Sequence, residues 1–232
     1  MYIHHKMDPF IDLQAISLYL EADSGKLKSE YGYCQRVFDF IVAALVLLLT
    51  SPLMLVIGIL IRLDSQGPAL FRQWRVGKGG KLFLFTKFRT FYMDAKERFP
   101  ELYTYQYSPE EIKNLQFKVP DDPRVTRIGR WLRDSTLDEL PNFWNVLTGD
   151  MALVGPRPEI PEMLPYYDQA ARLKFLVKPG ITGLAQVSGR GRLKFLETIS
   201  YDLEYVRRRN FWFDLKILLM TIYKVVMQDG AF

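Results

Sequence analysis

The sequence has very few of the side chains that most often bind zinc or relay protons. Its 232 residues include one cysteine, Cys34, and two histidines, His4 and His5. A single cysteine excludes an intrachain disulfide. Histidines confined to the N-terminus exclude a His-based zinc site or a Ser–His–Asp triad in the body of the chain. Any bound metal would therefore need oxygen ligands, which favours a magnesium-like ion.

The composition describes a basic chain with enough apolar residues to form a core. The formal net charge is +5, the pI is about 9.2, and 49% of the residues are hydrophobic. A basic balance of this kind favours acidic partners, which include nucleic acid, anionic lipid and phosphorylated small molecules. The length allows one large domain or two small ones.

The most apolar part of the sequence is FDFIVAALVLLLTSPLMLVIGILI, residues 38–61. A straight helix of this length could cross a hydrocarbon core of about 30 Å, and a buried core helix would rarely be apolar all round. Ser51 and Pro52 lie near the middle, where proline removes a backbone hydrogen bond and divides the run into arms of about 10–14 residues. Lysine and arginine flank both ends, so the positive-inside rule does not distinguish them. This pattern favours a re-entrant hairpin in one leaflet over a full span.

Two β-like runs, ALFRQWRV and KLFLFTKFRTF, flank the glycine-rich turn GKGG and predict a β-hairpin. Lys87 and Arg89 at the end of the second run would suit phosphate contacts, and the alternative is a purely structural hairpin. The turn lacks the spacing and the Ser or Thr of a P-loop, so nucleotide binding through it is not predicted. Residues 94–115 are predicted to be helical and polar.

An acidic pair, Asp138 and Glu139, stands in the stretch STLDELPNFWN, just after the arginine-rich DDPRVTRIGRWLRDS. Helix capping explains such a pair without any function. Ser135 or Thr136 can serve as the N-cap, acids in the first turn suit the positive end of the helix dipole, and Pro141 is tolerated near a helix start. The alternative is a pair of catalytic carboxylates, and this stretch alone does not decide between the two.

Two loops rich in glycine, proline and cations follow the acidic pair. LVGPRPEIPEMLP is interrupted by prolines, and KPGITGLAQVSGRGR can bring backbone N–H groups close to an anion. The C-terminal stretch YDLEYVRRRNFWFDLKILLMTIYKVV joins a basic cluster and aromatic residues to an apolar helical run, a pattern typical of a helix at the membrane interface. The predicted class is α+β and helix-dominated: a monotopic membrane protein with an N-terminal re-entrant helix, a small β-hairpin and interfacial amphipathic helices.

Several of these stretches together resemble a known family. KFRT, DPRVTRIGRWLRDSTLDELPNFWNVLTGDMALVGPRPE, KPGITGLAQVSGR and YDLEYVRRRNFWFDLKILL resemble, in this order, motifs of the bacterial sugar transferases, a family of polyprenol-phosphate phosphoglycosyl transferases. The resemblance covers roughly residues 34–228 and is to the small, monotopic class. It implies an N-terminal extension of unassigned role (1–33), a re-entrant membrane helix hairpin (34–64), and a cytoplasmic catalytic domain with interfacial helices (65–232).

The resemblance also implies an activity and its catalytic residues. The implied reaction transfers a sugar-1-phosphate from a UDP-sugar to undecaprenyl phosphate and releases UMP, as the first membrane step of surface glycan assembly. Asp138 is implied to be the nucleophile that takes up the phosphosugar and a ligand of the Mg²⁺ that the family needs. Glu139 is implied to help deprotonate the polyprenyl phosphate, and Arg133 to bind phosphate. Pro156 and Arg157, within Gly155 to Pro158, are associated with the nucleotide end.

The same resemblance implies partners and a location. The expected partners are a UDP-sugar, undecaprenyl phosphate, membrane lipids, a second copy in a homodimer and downstream glycosyltransferases, and nucleic acid is not among them. The expected location is the bacterial inner membrane, with the catalytic domain on the cytoplasmic face and the Ser51-Pro52 pair making the membrane helix re-entrant. Nothing in the sequence identifies the sugar.

Elementary chemistry gives the acidic pair a purpose in such a reaction. A diphosphate, a lipid phosphate and a carboxylate repel one another, so cations must offset their charge. Neighbouring residues do not share a helix face, so Asp138 and Glu139 should do different jobs unless irregular backbone at the helix start brings them together. Two other functions fit parts of the pattern: a membrane-bound hydrolase of nucleotide diphosphate-sugars, and a non-catalytic basic membrane scaffold. The candidate phosphate clamps are Lys87, Arg89, Arg133, Arg157 and Arg190.

Overall fold

The computed structural model describes residues 32–116, 121–189 and 192–227. Within these ranges the chain forms one long helix, two small two-stranded sheets and a series of short helices and 3-10 segments. The helix-dominated α+β class predicted from the sequence is confirmed. The helices are α1 (Tyr33–Asp64), α2 (Ala95–Arg98), α3 (Pro109–Asn114), α4 (Arg127–Ser135), α5 (Phe143–Thr148), α6 (Leu184–Gly189), α7 (Phe195–Arg208) and α8 (Phe211–Val226), and the strands are β1 (Leu70–Val76), β2 (Leu82–Phe88), β3 (Ala152–Val154) and β4 (Gly180–Thr182).

Helix α1 continues through Pro52 without a break. Proline lacks the N–H that would reach the carbonyl of Leu48, four residues earlier. The hydroxyl of Ser51 donates to that carbonyl at 2.8 Å, so the acceptor stays paired within an apolar segment. The predicted division at Ser51 and Pro52 is therefore not an interruption of the helix, which has 32 residues. The path of α1 through a membrane stays a prediction.

One face of α1 contacts the rest of the protein. Its buried residues are Asp39, Ala43, Ile57 and Ile61, which lie on one side because their spacings are close to whole turns. Large apolar side chains on the other sides are exposed along the whole helix. Within the described ranges, α1 is the one helix long and apolar enough to cross a membrane. This exposed apolar surface supports membrane association.

Both ends of α1 are tied to the same globular body. Near its start, Arg36 donates to the carbonyls of Val146 and Leu147 at 2.5 and 2.7 Å. At its end, Asp64 accepts a hydrogen bond from the backbone N–H of Ile128 at 3.0 Å. The polar groups at the two ends of this apolar helix therefore have their partners in one body, at α5 and at α4.

Strands β1 and β2 form the predicted hairpin, with antiparallel register from Leu70↔Phe88 to Val76↔Leu82. Successive side chains in a strand point to opposite faces. Phe83 and Phe85 are buried, so the face they share is the inner one. The register places Arg75 and Lys87 on that same inner face.

Strands β3 and β4 are parallel and hold the two glycine- and proline-rich loops together. Their backbones approach so closely that a Cβ atom on Gly180 would lie 2.1 Å from the backbone nitrogen of Gly155. Only glycine fits at such a contact. The N–H of Gly180 donates to the carbonyl of Pro156 at 2.9 Å, which fixes the loop that carries Arg157.

The polar segment 94–115, predicted to be helical, forms three short helical pieces. It contains α2, the 3-10 segment Pro100–Tyr103, and α3. Pro100 and Pro109 each open a new segment, because proline is tolerated in the first turn of a helix but not in its interior. Ser108 caps α3, its hydroxyl accepting a hydrogen bond from the N–H of Glu111.

The C-terminal helix α8 lies beside the start of α1 and carries a large exposed apolar surface. The rings of Phe38 and Phe211 meet at 5.7 Å, and Gln35 donates to Asp214 at 2.9 Å. The exposed side chains are consistent with the interfacial helix predicted from the sequence. They are Trp212, Leu219, Ile222, Tyr223 and Val225.

Candidate active site

The acidic pair lies in the first turn of the 3-10 segment Leu137–Asn142. Thr136, with φ 59°, adopts the left-handed conformation that ends α4 and turns the chain into this segment. The predicted position of the pair at a helix start is confirmed, although the segment becomes α-helical only at Phe143. Successive residues of a 3-10 helix are about 120° apart, so the carboxylates of Asp138 and Glu139 leave the backbone in different directions.

Each carboxylate of the pair has its own cation. Asp138 Oδ2 lies 3.3 Å from Lys87 Nζ, and Glu139 Oε1 lies 3.4 Å from Arg157 Nη1. The Asp138 side chain is 8% exposed and that of Glu139 is 22% exposed. Within the described residues, neither carboxylate accepts a hydrogen bond from a backbone N–H of the helix start. The pair therefore forms no capping hydrogen bond, although both acids lie in the first turn, where the helix dipole favours negative charge.

Arg133 lies in the last turn of α4 and belongs to a cluster around Asp122. Its Nη1 lies 3.6 Å from Asp122 Oδ2, and its guanidinium lies 5.4 Å from the centre of the Phe91 ring. Asp122 also accepts two hydrogen bonds from the Arg124 side chain, each 2.8 Å long. Burial would raise the pKa of Asp122, but these hydrogen bonds outweigh burial and the pKa is lowered.

Arg124 and Arg133 therefore both contact the ionised carboxylate of Asp122, but the geometry of the two contacts differs. Arg124 has the shorter, bidentate contact, which is typical of a structural pair. Arg133 Nη1 is buried and has no hydrogen-bond partner within the described part of the chain. The same nitrogen is the one that lies 3.6 Å from Asp122 Oδ2, and the phosphate-binding role of Arg133 stays a prediction.

Arg89 binds the segment that follows α1, and its predicted phosphate contact stays a prediction. Its three guanidinium nitrogens donate to the carbonyl of Pro68 at 2.8 Å, to Ser65 Oγ at 2.6 Å and to the carbonyl of Ser65 at 2.8 Å. The side chain is buried. A buried guanidinium needs such partners, so Arg89 fixes the connection between α1 and the hairpin.

The loop predicted for the nucleotide end contributes one side chain to the pair. Pro156 is buried and has no N–H to offer a phosphate, so its part is to hold the loop through its carbonyl. Arg157 is exposed and reaches Glu139. Arg190, also predicted as a phosphate clamp, lies outside the described residues.

A cleft beside the pair contains two polar residues that the sequence prediction missed, Arg75 and Asn142. The cleft is open to solvent on one side. The pKa of Arg75 is lowered to about 10 by burial, an effect that the Glu159 carboxylate partly offsets, so this side chain stays cationic at neutral pH. The residues that line the cleft include Arg75, Phe85, Glu139, Asn142, Met151 and Arg157.

Both missed residues had a signal in the sequence. Arg75 has the same strand parity as the core residues opposite it, so a hairpin register would have placed it on the same inner face as Lys87. Asn142 follows Glu139 by three residues, which is one turn of a 3-10 helix, so their side chains lie one above the other. Recognising that signal required the 3-10 geometry, which composition does not reveal.

The donor set at the pair fits a magnesium ion that is also held by substrate. Within the described residues, no group of three or more His, Cys, Asp or Glu side chains could hold a metal. Asp138 supplies one carboxylate, while Glu139 points in another direction and is paired with Arg157. Mg²⁺ is commonly bound by one or two carboxylates, with substrate phosphates and water completing its shell. The residues therefore fit this mode and do not form a dedicated all-protein site.

Comparison with known proteins places this site in a family. The family model described as bacterial sugar transferase matches residues 30–228. An undecaprenyl-phosphate galactose phosphotransferase of Salmonella typhimurium is 37% identical over 93% of this chain and 45% of its own length. A UDP-glucose:undecaprenyl-phosphate glucose-1-phosphate transferase of Escherichia coli is 36% identical over 99% of this chain and 47% of its own length.

A shorter relative matches almost end to end. The exopolysaccharide production protein ExoY of Rhizobium meliloti is 34% identical over 92% of this chain and 95% of its own length. This chain therefore spans about half the length of the Salmonella and Escherichia relatives and nearly all of the Rhizobium one. Since the family model covers most of the sequence, including the acidic pair and its cations, the chain belongs to the bacterial sugar transferase family.

Proposed function

We propose that this chain transfers a sugar-1-phosphate from a UDP-sugar to undecaprenyl phosphate and releases UMP, as the first membrane step of surface glycan assembly. The observation that carries the proposal is the acidic pair, in which Asp138 and Glu139 are held apart and each has a different cation. The names of the Salmonella and Escherichia relatives support this class of donor and acceptor.

In the first step, a carboxylate oxygen of Asp138 bonds to the sugar-bearing phosphorus of the donor. The bond between that phosphorus and the UMP oxygen breaks, and UMP leaves with the electron pair. An ionised carboxylate needs no base to act as a nucleophile. Lys87, 3.3 Å from Asp138 Oδ2, orients the carboxylate and offsets part of the charge that the diphosphate brings.

In the second step, an oxygen of undecaprenyl phosphate bonds to the same phosphorus, and the bond to Asp138 breaks. The aspartate carboxylate is restored and the lipid diphosphate sugar is the product. Glu139 accepts the proton of the lipid phosphate when that phosphate arrives protonated. Its side chain is more exposed than that of Asp138, which suits a base that must return its proton to water.

We also propose Mg²⁺ as the cofactor, with Asp138 as its protein ligand and the donor phosphates completing the site. When bound, the ion would neutralise phosphate charge beside the attacking carboxylate. Arg133 and Arg157 supply further positive charge from the protein itself. A homodimer and contacts with downstream glycosyltransferases stay predictions.

The activity is tested by UMP release from a panel of UDP-sugars, with the full chain in lipid and undecaprenyl phosphate as acceptor. We expect repeated turnover that depends on the acceptor, with UDP-glucose and UDP-galactose as the first donors to try. Turnover that continues unchanged without acceptor would identify a hydrolase. Binding to anionic lipid with no UMP release from any donor would identify a scaffold.

We propose that α1 enters one leaflet of the inner membrane and returns to the cytoplasmic face, where the catalytic body lies. Arg36 near its start and Asp64 at its end both contact that body, while the middle of the helix is apolar and exposed on most sides. A spanning helix would separate one of these ends from the body by a hydrocarbon core of about 30 Å. The contacts at both ends therefore support the re-entrant topology.

Cysteine labelling tests the topology. In a Cys34→Ser background, Glu30→Cys and Gln66→Cys would each carry one thiol, one on either side of α1. A membrane-impermeant reagent should label both from the cytoplasmic face only, in inverted vesicles and not in intact spheroplasts. Labelling of Glu30→Cys in intact spheroplasts would show a full span.

A further inference from the structure

We propose that the cleft between Arg75 and Asn142 binds hydroxyl groups of the sugar that is transferred. This inference rests on the proposed function and names the part of the donor that the cleft takes. Arg75 and Asn142 would then be specificity-determining residues, placed beside the acidic pair but outside the chemical step.

The two residues present buried polar atoms that have no protein partner. Arg75 Nε and Asn142 Oδ1 are buried, and neither has a hydrogen-bond partner within the described residues. Buried polar groups in proteins are almost always paired, with protein or with water, so an unpaired donor and an unpaired acceptor on two residues of one cleft leave places that a water molecule or a ligand hydroxyl can fill. The rest of the Arg75 guanidinium is held, since it donates to the carbonyl of Pro158 at 3.3 Å and to Gln73 Oε1 at 2.9 Å.

The hairpin register explains why Arg75 faces this cleft. Arg75 on β1 and Lys87 on β2 share the inner face of the hairpin, about four residues apart along the strands, roughly 13 Å. Lys87 contacts Asp138, and Arg75 lines the cleft together with Glu139. The hairpin thus places Lys87 next to Asp138 and Arg75 next to the cleft.

The charges around the cleft are already balanced, which favours a neutral ligand there. Arg157 is paired with Glu139 at 3.4 Å. The negative charge of Glu159 raises the pKa of Arg75. Glu159 itself accepts a hydrogen bond from the Tyr167 hydroxyl at 2.7 Å.

Hydroxyl groups satisfy both partners. A hydroxyl accepts a hydrogen bond from Arg75 Nε and donates one to Asn142 Oδ1, and it pairs with a side-chain amide in either orientation. The position beside Asp138 and Glu139 places a sugar ring next to the phosphorus that the sugar carries.

Binding measurements separate the sugar from the nucleotide. The full chain in lipid nanodiscs would carry Asp138→Asn, so that donors bind without turnover, and calorimetry would measure Kd for UDP-glucose, UDP-galactose and UMP. Asn142→Ala and Arg75→Lys should each raise the Kd of the preferred UDP-sugar about 10-fold, the effect of one lost hydrogen bond of about 1.4 kcal/mol. The Kd of UMP should change less than about 2-fold. Arg72→Lys is the matched control, since Arg72 lies on the same strand and faces outward.

Deoxy donors identify the contact. Asn142→Ala should not raise the Kd of a UDP-sugar that lacks the hydroxyl bound by Asn142, because the hydrogen bond is already missing. An equal rise in Kd for UMP and UDP-sugar would overturn the proposal by placing the nucleotide in the cleft. Unchanged Kd values for all ligands would overturn it too. If Arg75→Lys unfolds the chain, Asn142→Ala decides alone. Absence of UMP release by the unmodified chain would contradict the proposed function instead, because that assay does not involve these variants.

Discussion

A phosphosugar adduct on Asp138 is the expected result when the protein is mixed with a UDP-sugar and Mg²⁺ in the absence of lipid acceptor. The side chain is almost buried, is oriented by Lys87 at 3.3 Å and precedes a residue that is itself paired to Arg157. A side-chain nucleophile splits one transfer between two phosphate anions into two steps, each with less charge crowded in the site. Intact-protein mass spectrometry would show the mass of one sugar-phosphate added, and peptide mapping would place it on Asp138.

Two substitutions in the pair should separate the two steps. Asp138→Asn keeps the shape of the side chain and removes the nucleophile, so both the adduct and the single turnover of UMP should vanish. Glu139→Gln should still form the adduct, while transfer to the lipid slows by about 10²–10⁴-fold, the usual contribution of a general base. Chelation of Mg²⁺ should suppress the adduct in the unmodified protein if the proposed cofactor is required.

Kinetics offer an independent check on the covalent step. If UMP leaves before the acceptor attacks, initial-rate plots for the two substrates should be parallel, as in ping-pong kinetics. Intersecting plots together with no trapped adduct would favour direct attack by the lipid phosphate. The acidic pair would then act only as a metal ligand and a base.

The parts of this molecule that the sequence predicted well are those with strong local signals. The hairpin follows from β-rich runs around GKGG. The long helix follows from its apolar run. Asp138 and Glu139 were predicted at a helix start from their surroundings and from the family resemblance, and they lie at one.

The parts that were missed depend on which face a side chain occupies. Arg89 lies one residue beyond the end of β2, where strand alternation no longer applies, and its guanidinium turns back to Ser65 and Pro68. Arg75 lies within β1 and faces inward. Both are arginines in a basic stretch, so composition does not distinguish their roles. The strand register does, because it shows which face each side chain occupies.

Pro52 shows a second reason why a sequence pattern can predict the wrong local structure. Proline inside an apolar run predicts a disturbed helix, because one backbone acceptor loses its donor. The Ser51 hydroxyl supplies that donor to Leu48, so the helix continues. Ser-Pro thus predicts a position where a bend is tolerated, whereas a loop would need further signals such as glycine.

Arg133 and Arg124 give a matched pair for testing phosphate binding against structural pairing. Both contact Asp122, and both lie over the Phe91 ring, at 5.4 and 4.7 Å. Arg124 makes the bidentate contact and also lies over Tyr103. Arg133 has the longer contact and a buried nitrogen without a hydrogen-bond partner among the described residues. The same conservative substitution at the two positions should therefore have opposite consequences.

Arg133→Lys should lower kcat/KM by about 10²–10³-fold, the usual effect of removing one donor from a developing anionic charge, with Tm nearly unchanged. Arg124→Lys should leave kcat/KM within a few-fold, but it should lower Tm by about 2–8 °C, because the bidentate contact and the stacking on two rings contribute roughly 1–2 kcal/mol. UMP-release kinetics and thermal unfolding in the same detergent measure both quantities on both variants.

If Arg133→Lys loses Tm and activity together, its contact with Asp122 is structural and the phosphate must be bound by Lys87 and Arg157. If instead only activity falls at Arg133 and only stability at Arg124, then Asp122 holds the one arginine for the fold and aims the other at the substrate.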